Sequence, residues 1–367
     1  MTDHSPKYYY PQLDSIRGLS FLAVFFFHSY HPVWGTGHVN EVLQFFYHCL
    51  DYSIDVFFIL SSFLLTWLGI NEYERKGDFS FRNYFLRRAL RIWPLYYILM
   101  FFSFVIVPLG AQYSGVHATL PPAAWYLFFV SNYYTPGHVY FLRFLWTLSV
   151  EEQFYLALGL CLLFFQKHLK MIILIFMGVS IVYNFYAVIK NVSSYFNTLT
   201  YLFDFAAGSL AAIALKENRG WVCRLRSLRK GQSFLFYLLL PMIFIMSFFI
   251  SRQLSGISKD AVTECTRMAF ILFIASFIVH QVTGISRFPG LAKNRFLIYT
   301  GKISYGLYCF HGIVLTFGDI ALTKMHVIFP GLLRALILLA INYLIASGSY
   351  YLLEQPFLRI KNRLRRI

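Results

Sequence analysis

The sequence predicts an all-α fold: a polytopic membrane bundle of about ten transmembrane helices plus one re-entrant segment. Three observations carry that expectation. Of the 367 residues, 58% are hydrophobic and 13% are charged, whereas a soluble domain carries about 25% charged residues. So few charges cannot cover a water-facing surface of this size. Apolar runs of about 20 residues, the length that crosses a bilayer, recur along the whole chain. The basic residues collect on alternate connections between those runs. No linker or shift in composition interrupts the pattern, so residues 1–367 read as a single integral-membrane domain.

The candidate spans cover 16–34, 51–70, 92–110, 144–166, 171–189, 198–215, 234–251, 262–283, 297–319 and 331–353. The stretch around 122–131 is too short to cross and reads as a re-entrant or interfacial helix. The first apolar run, Leu19 to Phe27, continues into His28, Tyr30 and His31. That is no small-residue cleavage site, so the run is expected to remain as the first helix rather than to act as a signal peptide.

Charge tests the alternation. With the N-terminus in the cytoplasm, the connections on that side hold 24 of the 32 Lys and Arg. The opposite connections hold isolated residues such as Arg143, Lys190 and Lys324. This asymmetry is the positive-inside pattern and predicts that both termini are cytoplasmic. The net charge of +16 therefore reads as a topology signal in contact with the lipid bilayer. No nucleic-acid module accompanies it, and no nucleic-acid partner is expected. The five cysteines are widely spaced without a CxxC, which supports neither a disulfide framework nor a metal site.

Ionisable side chains within spans are costly and usually functional. Arg17 and His28 are 11 residues apart, three helical turns plus about 20°, so they share one face about 16 Å apart. Packing and snorkelling are the alternatives to a functional pair. Glu151 and Glu152 stand near the outer end of the fourth span, and His311 lies about 21 Å into the ninth. Counting from each end puts His28, Glu151, Glu152 and His311 at one depth. A carboxylate of Glu151 or Glu152 is therefore expected within hydrogen-bond reach of His28, directly or through one water. Arg88 and Arg91 are three apart on one face near the cytoplasmic edge, suited with Arg17 to hold phosphates. Asp55 and Asp204 read as helix-end or interface residues, and Ser61 and Ser62 as helix-packing residues.

These residues also form a pattern. The chain resembles the acyltransferase family 3 proteins, integral-membrane O-acyltransferases. The resemblance rests on Leu13-Asp14-Ser15-Ile16-Arg17-Gly18-Leu19 with His28, Asp55 to Phe63, the arginine cluster through Pro94 and Tyr96, and Trp146 to Tyr155. It continues in Ser304-Tyr305-Gly306-Leu307-Tyr308 with His311 and in Glu354-Gln355-Pro356-Phe357. The segments occur in family order over nearly the whole chain. Ser15 and Ser62 stand where glycine is common. The hydrolase-like domain that some members carry is expected to be absent.

The resemblance implies an O-acetyltransferase of the bacterial inner (plasma) membrane. Its donor would be acyl-CoA, usually acetyl-CoA, with no permanently bound cofactor. Its acceptor would be a glycan or glycolipid such as a cell-envelope polysaccharide. In this reading Arg17, Arg88 and Arg91 bind acyl-CoA, while His28, Glu151, Glu152 and His311 are catalytic. Asp55 and Tyr305 contact the acceptor, and no metal takes part. The rival reading is a proton-coupled transporter or flippase, since intramembrane His and Glu suit proton relays.

Overall fold

In hydrocarbon every backbone N–H and C=O must be bonded within the protein. The chain meets that demand with helices, and no strand occurs among the described residues. The computed structural model describes residues 9–30, 38–113, 120–134, 140–285, 287–288, 290–327, 329 and 331–364. Ten long helices follow in order. They are α1 (Pro11–Ser29), α2 (Ser53–Lys76), α3 (Phe81–Phe101), α4 (Trp146–Phe164) and α5 (Leu169–Lys190), then α6 (Thr198–Lys216), α7 (Lys230–Ser251), α8 (Gly256–Thr283), α9 (Arg295–Lys324) and α10 (Gly331–Ser349). Local chemistry sets several of their ends. Pro11 opens α1, where its missing N–H costs nothing. The side chains of Ser80, Asn197 and Asn294 cap α3, α6 and α9 by accepting from backbone N–H groups. Gly77, at φ 70°, ends α2 in the left-handed conformation that favours glycine.

Among the described residues nine of these helices are long and apolar enough to cross a membrane. The tenth, α1, is diluted by Gln12, Asp14, Ser15, Arg17 and Ser20. It compensates by position, running between α2 and α9 in the middle of the bundle. Outward faces elsewhere are apolar: Val182 on α5, Phe249 on α7 and Leu344 on α10 are 71%, 60% and 75% exposed. Such surfaces fit lipid, not water. The bundle has two ends. The basic end holds the starts of α1, α3 and α9 and the close of α2; the far end holds His28, the start of α2 and the start of α4.

The short stretch near 122–131 forms a helix at Ala123–Leu127 followed by turns. It is docked, not spanning. Tyr96 donates to the Tyr126 carbonyl at 2.7 Å, and Gln153 to the Phe129 carbonyl at 2.9 Å.

Two glycines let α1 and α9 meet backbone to backbone. A Cβ on Gly301 would overlap the Asp14 carbonyl, and one on Gly18 would meet the Leu297 carbonyl at 2.5 Å. This contact fixes the height of Arg17 and His28 against Tyr305, Tyr308 and His311.

Candidate active site

At the basic end, α1, α2, α3, α4 and α9 enclose a cavity of about 70 Å³, room for a few waters. Arg17, Arg88 and Arg91 converge on it. The 3.6-residue period places both Arg87 and Arg88 within a turn of Arg91 on α3, about 100° apart from each other, and only Arg88 and Arg91 line the cavity. Arg87 instead reaches Glu72 on α2 at 2.6 Å. The Arg88 guanidinium lies 5.4 Å over the Tyr155 ring, a favourable cation–π arrangement. Arg17 is 9% exposed, and its acidic neighbour Asp14 is 3.6 Å away one turn earlier. Among the described residues Glu151 is the one carboxylate lining the cavity, and it accepts from Ser61 at 3.0 Å. Three guanidinium groups face a single carboxylate. Such a surplus of partly buried cations favours a polyanionic ligand able to take charge-assisted bonds.

At the far end a second cavity, of about 560 Å³, is lined by His28, Asp51, Arg143, Phe144, Trp146 and Tyr195 among others. The His28 ring lies 4.5 Å from Phe144 and 5.8 Å from His311, nearly parallel to the latter. His311 is fully buried, with its Nδ1 bonded to the Tyr308 carbonyl. A carbonyl can only accept, so Nδ1 carries the proton and the neutral ring keeps its lone pair on Nε2. That nitrogen has no hydrogen-bond partner among the described residues. The pair is thus a basic imidazole beside a second imidazole that opens to a cavity.

The residues expected to act together are partly united. Arg17, Arg88 and Arg91 do converge, and His28 and His311 do meet. The glutamates do not join the histidines. Among the described residues neither carboxylate bonds to His28, and Glu151 belongs to the basic-end cavity. The residue of α4 at the histidine level is Thr147, whose hydroxyl bonds to Tyr308, the neighbour of His311. Glu151 lies one turn beyond it towards the basic end. Glu152, about 100° further round the helix, accepts from Trp93 at 3.4 Å and lines neither cavity.

Asp55 and Tyr305, expected as acceptor contacts, are otherwise engaged. Asp55 takes two bonds from Arg267, at 3.1 and 3.3 Å. Tyr305 donates to the Ile92 carbonyl at 2.6 Å and lines the arginine cavity. Sequence reasoning passed over Arg267, which also bonds Asp204 at 2.6 Å. A lone arginine in the eighth apolar run, opposite aspartates in two others, was the available signal. Ser61 also proves to line the cavity, whereas Ser62 packs as expected, against Gly208.

A family model described as an acyltransferase domain, the third acyltransferase family, matches residues 10–353. The chain belongs to this family. Its acyltransferase relatives include the peptidoglycan O-acetyltransferase OatA of Listeria monocytogenes, 24% identical over 97% of this chain and 56% of the relative. A putative O-acetyltransferase of Staphylococcus aureus is 26% identical over 97% of this chain and 58% of its own length. The putative peptidoglycan O-acetyltransferase YrhL of Bacillus subtilis is 24% identical over 95% and 55%. The chain therefore spans a little over half the length of the curated relatives it matches. No solved structure matches it.

Proposed function

We propose that this acyltransferase moves an acetyl group from acetyl-CoA to a hydroxyl of a cell-envelope glycan. Peptidoglycan, named for two of its relatives, is the leading acceptor class. The observation that carries the reading is the division of chemistry between two ends. Guanidinium groups outnumbering the carboxylates beside them line one cavity, and imidazoles stand at the other. The positive-inside pattern supports placing the basic end and both termini on the cytoplasmic side, in this reading of a bacterial plasma membrane.

Arg17, Arg88 and Arg91 hold the CoA phosphates, and the thioester arm points towards the histidines. The acceptor hydroxyl enters the far-end cavity beside His28. Its oxygen attacks the thioester carbonyl carbon as His28 takes its proton. The C–S bond then breaks, and the proton passes to the departing CoA sulfur. His311, with Nε2 basic and buried, is the second imidazole available for proton transfer. Glu151 acts within the arginine cavity, limiting repulsion among the three cations.

Acetyl transfer from labelled acetyl-CoA to glycan tests the reading in membranes carrying wild type or His28→Ala. A loss of about 10²–10⁴-fold, typical of removing a general base, is expected at equal protein level. Undiminished transfer in the variant would remove His28 from the chemistry.

A further inference from the structure

The two cavities share three lining residues: Ile54, Thr147 and Tyr308. Each is at most 9% exposed. The Thr147 hydroxyl donates to the Tyr308 hydroxyl at 2.9 Å, and Tyr308 donates to the Phe144 carbonyl at 3.1 Å. One layer of side chains therefore both divides the cavities and closes across a pair of neutral hydroxyls. From this geometry we infer that Thr147 and Tyr308 latch a septum, one side chain thick, across a passage running through the bundle. It is shut at rest and opens for the acyl group to reach the acceptor.

The physical argument rests on what lies to either side. The basic-end cavity is lined by charged and hydroxyl groups, and the larger far-end cavity has Asp51, Arg143 and Ser193 among its lining. A continuous wet path would dissipate the proton gradient of any energised membrane, so the meeting point needs a seal. A charged pair there would be costly to break in a low dielectric. A neutral hydroxyl pair is a weak bond, and an arriving thioester carbonyl can replace it as acceptor. The layer sits at the level of His311, whose ring is 5.0 Å from that of Tyr308. Opening it therefore delivers the thioester to the imidazoles and nowhere else.

The inference gains its purpose from the proposed transfer, but its test needs neither donor nor acceptor. Purified protein is reconstituted into vesicles containing a pH-sensitive dye, and proton entry is followed after an external pH step. Wild type should be as tight as protein-free vesicles. Tyr308→Phe keeps the ring and removes the latch together with the bond to the Phe144 carbonyl, and proton entry should rise at least about fivefold, the change in an opening equilibrium that loss of one neutral hydrogen bond brings. Thr147→Val removes the same bond with little change of shape and decides the matter if Tyr308→Phe does not fold. A folded variant lacking this bond that leaks no faster than wild type overturns the latch. Wild-type vesicles that fail to transfer acetyl would instead count against the proposed function and leave the leak result standing.

Discussion

Two buried arginine clusters in this bundle are built on opposite principles. Around Arg267 the charges are closed. One guanidinium is shared by Asp55 and Asp204, stacks over Tyr201 at 4.9 Å, and is 7% exposed. It ties α8 to α2 and α6. Around Arg17, Arg88 and Arg91 the charges are open: among the described residues three cations share the cavity with Glu151, and Asp14 pairs only loosely with Arg17, at 3.6 Å. A buried arginine is therefore read by its partners. Complete pairing makes a staple, and incomplete pairing leaves capacity for a ligand.

The contrast can be broken at either cluster. The largest effect is expected for Arg267→Leu, which leaves two buried carboxylates uncompensated. Loss of one partner of a buried ion pair costs about 3–5 kcal/mol, so thermal unfolding in detergent should show a severely destabilised protein. Arg88→Ala should leave unfolding near wild type yet raise the apparent KM for acetyl-CoA roughly tenfold or more, the worth of one charge-assisted hydrogen bond, with the glycan KM little changed. Equal stability loss in both variants would erase the distinction between staple and site.

Two smaller effects sharpen it. Glu151→Gln removes the negative charge opposing the three cations and should tighten binding of a CoA-sized polyanion by a few-fold, read by calorimetry. Weaker binding would mean that Glu151 positions an arginine instead of offsetting it. Arg87→Gln breaks only the half-buried pair with Glu72. It should cost about 1 kcal/mol or less and leave the acetyl-CoA KM unchanged, although Arg87 adjoins Arg88 in sequence. An acetyl-CoA KM shift matching that of Arg88→Ala would place Arg87 in the site.

The architecture was legible because a bilayer imposes length and polarity on every span. Runs such as 198–215 and 331–353 correspond to α6 and to α10 with its continuation, within a few residues. The pairing of Arg88 with Arg91, and of Arg17 with His28 on one helix, followed from the 3.6-residue period. What sequence left open was lateral position. Depth counting put Glu151, Glu152, His28 and His311 at one level, but a single-residue step turns a helix by 100°. That rotation sends Glu151 into the arginine cavity and Glu152 towards Trp93. The Arg267 staple joins residues 212 and 63 positions apart in sequence, a separation that no local pattern encodes. Thr147 and Tyr308 fall within two of the segments that carry the family resemblance, but the sequence assigned neither hydroxyl a partner; their meeting is visible only in the structure.

The glycine contact between α1 and α9 bears on motion. Two helices touching through their backbones cannot slide past one another without collision, so Arg17, His28 and His311 ride on one rigid strut. Any widening of the arginine cavity around a ligand must come from a helix outside that strut. That freedom falls to α3. It carries Arg88 and Arg91, loses one internal bond at Pro94, and runs into a wider π turn at Phe102–Ile106. If the site opens for its ligand, the expected motion is a hinge of α3 against the α1–α9 pair. Spin labels on α1 and α9 should keep their separation when acetyl-CoA binds, while the distance from α3 to either changes.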